Sequence, residues 1–250
     1  MRDSTVYSNP AAIVTHTRSG GTFLAAALSS HPQVFCTRGE PLLKGMEWRR
    51  AFPRACATQI LMCITRAAFH EIGMLKITYA QATPEVLEFL QKDKVKILHL
   101  TRSNLIRVAV SQVITGMQAS RKLTGRPHTF ERLPAVKVSL NPATIVGHAR
   151  RQQESISTMR GILRDTGCPV LPLTYSEIVG AEGFEAAFVP KSISYLICEF
   201  LGVRALTLTS DLKRVHAYPL SEILTNWTDF EAVVRATEFG GLLDAERLWN

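Results

Sequence analysis

Four short apolar runs, separated by segments of helical pattern, constrain this fold more than any other feature. They are Ala11–Thr15, Met74–Ile77, Lys94–Thr101 and Val170–Thr174. Helical periodicity covers Ser19–Ser30, Thr58–Phe69, Thr83–Gln91, Arg102–Met117, Ala143–Asp165 and Ile193–Leu201. Several of these carry punctuation. Pro32 disfavours a helical residue before it, Thr83 can cap a helix with Pro84 at its first position, and Gly202 stops the last one. Val34–Cys36 is apolar but short, and Gly39-Glu40-Pro41 is a turn. Strands that are apolar throughout, alternating with helices, predict an α/β fold: a central parallel sheet with helices on both faces.

The 250 residues fit a single domain, with excursions at 42–75 and 118–142, the second being polar, basic and proline-containing. A hydrophobic content of 46% with 20% charged residues excludes a disordered chain. The formal net charge of +8 favours anionic partners without choosing among them. The five cysteines include no CxxC pair, which argues against a disulfide scaffold or a structural zinc site. Cys63, Cys168 and Cys198 lie in apolar surroundings and read as buried thiols. No apolar stretch is long enough to span a bilayer, and the first residues lack a signal core, so a soluble, cytoplasmic protein is expected.

Chemistry concentrates at two places. The first run leads into Thr17-Arg18-Ser19-Gly20-Gly21-Thr22 and then a helix. A helix N-terminus offers free N–H groups and partial positive charge to an anion. Gly20 and Gly21 permit close backbone approach, Thr22 supplies a hydroxyl, and Arg18 supplies a permanent charge. A Walker A loop would have a lysine where Gly21 stands, which opposes an ATPase or kinase. A plain turn is the other reading of this loop. The second place is Lys96-Ile97-Leu98-His99-Leu100-Thr101-Arg102, with Ser111 following along a helix. Ligands of open α/β sheets bind beyond the carboxyl ends of the strands, so Arg18, Arg102 and Ser111 are expected to share a crevice. A surface arginine and a solvent-facing serine are the alternative.

Together, "TRSGGTFLAAALSSHPQVFCTRGEPL" and "ILHLTRSNLIRVAVS" resemble the sulfotransferases that use 3′-phosphoadenosine 5′-phosphosulfate (PAPS). "LPLTYSEI", "ICEFLGV" and the tail "PLSEILTNWTDFEAVVRATEF" are similar to later landmarks of that family, most closely its bacterial carbohydrate branch acting on trehalose or Nod-factor-like glycans. The resemblance implies a P-loop-like three-layer α/β sandwich and no metal. It implies that Arg18, Ser19, Gly20, Gly21, Thr22 and Phe23 hold the 5′-phosphosulfate. Arg102 and Ser111 would hold the 3′-phosphate, and Lys213, with Arg214, would close over the donor. Glu40 takes the place of a general base, since an attacking alcohol must lose its proton; a turn glutamate is the alternative. Lys76 interrupts an apolar strand, where a lysine calls for an anion; related members use one against the transferring sulfuryl group, and a snorkelling lysine is the alternative. The product would be 3′-phosphoadenosine 5′-phosphate (PAP), and the acceptor a hydroxyl of a carbohydrate or glycoconjugate.

Trp48, Arg49, Arg50, Phe52 and Arg54 offer stacking and charge to such an acceptor, or form a half-buried helix face. The loop 121–128 lacks the tryptophan of related members. The seven histidines are scattered; His16, just before the loop, reads as a structural hydrogen-bonding residue, with contact to the donor as the alternative, and His99 as a satisfied core histidine. The alternatives are a non-catalytic basic nucleotide- or nucleic-acid-binding module, and a P-loop kinase-like enzyme. The arginines are spread without a basic stripe, so no nucleic-acid partner is expected. Oligomeric state is not encoded legibly.

Overall fold

A computed structural model describes residues 9–36, 71–120, 137–180, 188–212 and 218–244. The chain forms a five-stranded, wholly parallel sheet in the order β2-β3-β1-β4-β5. The strands are β1 (Asn9–Thr15), β2 (Val34–Cys36), β3 (Ile72–Thr78), β4 (Lys96–Thr101) and β5 (Val170–Thr174). β3 is buried along its whole length, as expected of a parallel strand covered on both faces. Pro172, which lacks an N–H, sits in β5 at the edge of the sheet, where a missing donor is tolerated.

Helices flank both faces because the side chains of β1 alternate. Ala11 and Ile13 pack with α1 (Gly21–Leu28) and with α6 (Lys191–Leu201) through Leu24, Leu28, Ile197 and Leu201. Ala12 and Val14 pack on the opposite face with α2 (Pro84–Lys92) and α4 (Pro142–Asp165) through Val86, Leu90, Met159 and Leu163. A third apolar cluster joins α3 (Leu105–Ser120) and α4 to the C-terminal helices α7 (Leu220–Ile223) and α8 (Trp227–Arg235), around Ile145, Phe230 and Val234.

Several boundaries differ from the sequence reading. Val34–Cys36 is an edge strand that pairs in the sheet with β3, Val34 opposite Ile72. Residues 72–75 belong to β3 rather than to the 42–75 excursion, residues 118–120 continue α3, and Pro142 opens α4. α1 starts at Gly21 because residues 17–20 form the connecting loop. α3 starts at Leu105 because the Asn104 side chain accepts from the Arg107 N–H at 3.0 Å. The Thr83 hydroxyl makes no capping bond to α2. A short helix, α5 (Tyr175–Val179), follows β5 behind a Thr174/Glu177 capping box. No helix among the described residues is long and apolar enough to cross a membrane. Cys36, Cys168 and Cys198 are buried free thiols, while Cys63 and the expected helix at Thr58–Phe69 lie outside the described residues.

Candidate functional site

The strand order places a crevice beyond the carboxyl ends of β1 and β4. From β1 the chain passes over β3 to β2, and from β4 it proceeds to β5 on the other side. Neighbouring strands whose connections diverge leave such a crevice between them. The loop 16–20 leaves β1 into it and residues 102–104 leave β4 into it.

The first loop is held by its own polar groups. The Ser19 hydroxyl donates to the His16 carbonyl at 2.6 Å and also meets the Thr15 hydroxyl. Thr15 in turn donates to the Leu100 carbonyl at 2.8 Å, tying the loop to β4. Ser19 is buried, and its hydroxyl is taken up by these bonds within the loop. Gln112 on α3 hydrogen-bonds the Thr17 hydroxyl. Gly20 has φ +91°, and a Cβ there would lie 2.4 Å from Cδ2 of Tyr175. Glycine is therefore required both by the backbone and by the ring against it.

α1 begins immediately after. Its first internal bond runs from the Leu24 N–H to the Gly20 carbonyl, so the N–H groups of Gly21, Thr22 and Phe23 have no partner within the helix. Phe23 packs its ring against the apolar cluster beneath α1, so only its backbone remains for an anion. A Cβ on Gly21 would lie 2.9 Å from the Thr15 methyl and 3.4 Å from Cδ of Lys76. No lysine fits at that position. The cation arrives instead from β3, where Lys76 is buried and its Nζ donates to the Thr22 hydroxyl at 3.0 Å.

Arg18 sits in the left-handed region at φ +64°, an uncommon conformation for a residue with a side chain. Its Nε donates to the Ser111 hydroxyl at 2.8 Å. Burial pulls the guanidinium below its ordinary pKa, and Tyr175 opposes that shift. Among the described residues Arg18 forms no ion pair with a carboxylate. Arg102 donates to the Arg18 carbonyl at 3.4 Å, and its guanidinium lies 4.5 Å from the centre of the Tyr175 ring.

His16 fastens the two loops together. Its Nδ1 donates to the Thr17 carbonyl at 3.0 Å, and its Nε2 accepts the Arg102 N–H at 3.1 Å, which fixes a neutral tautomer. Burial is the main cause that lowers its pKa to about 4, with Arg102 and His99 adding to the effect. His99 shares a 2.6 Å hydrogen bond with the Tyr79 hydroxyl. Burial, then Arg160, lowers its pKa to about 4 as well.

Arg18, Gly20, Gly21, Thr22, Lys76, Arg102 and Ser111 thus meet at one crevice. Glu40, Lys213 and Arg214 lie outside the described residues, as do Trp48, Arg49, Arg50, Phe52, Arg54 and the loop 121–128. The sequence reading missed Tyr175 and Gln112. The Thr-x-x-Glu capping box at 174–177 marks a helix start at the end of a strand, and so signals that Tyr175 stands at the crevice. Nothing local in the sequence marks Gln112. Among the described residues no group of three or more His, Cys, Asp or Glu side chains could hold a metal ion. No protein-family model matches this chain, and no curated protein matches its sequence.

Proposed function

We propose that this protein is a PAPS-dependent sulfotransferase acting on a hydroxyl of a carbohydrate or glycoconjugate, with a P-loop-like fold. One observation carries the reading: three cations from three elements line the loop between β1 and α1, Lys76 at its Thr22 end and Arg18 with Arg102 at the end facing Ser111. Arg18 is half-buried against Ser111 without a carboxylate among the described residues, a state that a multiply charged anion would relieve. Two separated anion positions fit a donor phosphorylated at both ends of its ribose. The backbone of 19–23 with Thr22 and Lys76 receives the 5′-phosphosulfate, and Arg102 with Ser111 receives the 3′-phosphate.

In the transfer, an acceptor oxygen attacks sulfur while the bond from sulfur to the bridging 5′-phosphate oxygen breaks. The acceptor proton passes to Glu40. Lys76 and Arg18 stabilise charge growing on the departing phosphate, the electrostatic part of the catalysis. Positioning supplies the rest, as in phosphoryl transfer.

Calorimetric titration with PAP and with ATP, without added metal, tests this. Tight PAP binding with weak ATP binding is expected. A folded protein that fails to bind PAP, or that binds ATP equally well, refutes it. Glu40→Gln is expected to lower turnover by about 100-fold or more, the usual contribution of a general base. Equal turnover removes Glu40 from that role.

A further inference from the structure

Gln81 is the buried polar group that the proposed function leaves unexplained. It ends the short 3-10 turn Tyr79–Gln81 that follows β3, and it is 6% exposed. Its Oε1 accepts from the Thr78 N–H at 2.8 Å and from the Thr78 hydroxyl at 2.9 Å. A backbone N–H can only donate, so the atom facing it is the oxygen, and the amide orientation is determined. The amide nitrogen, Nε2, is buried and finds no hydrogen-bond partner among the described residues. Buried amide donors are rarely left so, and each instance calls for an explanation.

The position of the amide supplies one. Lys76 and Thr78 are two residues apart on β3, so their side chains share a face of the sheet, about 7 Å apart along the strand. Thr78 stands opposite Thr15 in the register, and the Thr15 methyl is the nearest neighbour of Gly21 at the start of α1. Gln81, bonded to Thr78, is therefore held beside the α1 side of the sheet, beyond Lys76 in the strand direction and buried. We propose that the Gln81 amide N–H donates to an oxygen of the sulfuryl group being transferred, adding a neutral donor to the cations around it. The inference rests on the sulfotransferase reading.

The test compares PAPS with PAP, which differ by the sulfuryl group. Calorimetric affinities for both are measured for the wild type, Gln81→Glu and Gln81→Met, with thermal melting to confirm folding. Gln81→Glu keeps an oxygen for Thr78 and removes the donor; Gln81→Met serves if the added charge prevents folding. The wild type is expected to favour PAPS over PAP by about 10-fold, the usual weight of a hydrogen bond to a charged group. In the variants that preference should vanish while PAP affinity stays within about twofold, since the PAP contacts remain. An unchanged preference overturns the proposal, as does an equal loss of both affinities, which would mark Gln81 as structural. A wild type that binds PAP and PAPS alike also overturns it. A wild type that binds neither refutes the sulfotransferase reading itself, and the Gln81 assignment falls with it.

Discussion

Gly20→Ala probes the loop most directly, because two separable costs meet there. The first is conformational. Gly20 has φ +91°, and an L-residue held in the left-handed region costs about 1–2 kcal/mol. The second is steric. The new methyl would lie 2.4 Å from Cδ2 and 2.7 Å from Cε2 of Tyr175, so the ring must shift by an ångström or so. Forcing such a shift in packed surroundings costs about 1–3 kcal/mol. Part of that is the stacking of Arg102 on the ring, now 4.5 Å from its centre. Gly167→Ala is the control: φ is +64° there, and no atom lies within 4 Å of the added methyl. It bears the conformational cost alone. For a chain of this size 1 kcal/mol moves Tm by about 2–4 °C, so Gly20→Ala should lower Tm by about 4–20 °C and Gly167→Ala by about 2–8 °C. Differential scanning calorimetry on the two variants and the wild type reads both. The difference between them isolates the contact with Tyr175. Equal shifts would refute the close packing of Tyr175 on the loop, and with it the positioning of Arg102.

Three further outcomes are expected. His16 and His99 are held near pKa 4 against an ordinary value of 6.5, so the unfolded chain binds more protons between those values. Their contribution, up to about 3 kcal/mol each, is therefore complete above pH 6.5 and is lost as pH falls toward 4, which urea denaturation at pH 7 and pH 5 would detect. Tyr79→Phe leaves the buried His99 nitrogen without its partner and should cost about 1–3 kcal/mol by the same assay; no loss would mean that water takes the place of the hydroxyl. Arg102→Ala should weaken PAP binding by about 10-fold or more while leaving affinity for inorganic sulfate nearly unchanged, since it removes one charged hydrogen bond from the 3′ end only.

What the sequence determined by itself is local. Ala11–Thr15 and Lys96–Thr101 are apolar on both faces, so they had to be interior parallel strands, and the segments between them had to be helices. Arg18, Gly20 and Thr22 follow a strand and enter a helix, so a strand-loop-helix connection carrying a cation and glycines was legible from order alone. Tertiary structure decided what depends on partners far along the chain. Val34–Cys36 became a strand only because β3 offers it hydrogen bonds, and three residues carry too little periodicity to announce that. Ser19 turned inward because Thr15 and the His16 carbonyl receive its hydroxyl. Gly21 and Lys76 show the division most plainly. Read along the chain, a glycine stands where a lysine would mark a phosphate loop; in space, β3 lies beside β1 and brings its lysine to the same hydroxyl. Strand order is set by how the sheet buries its faces, and no local window of sequence contains it.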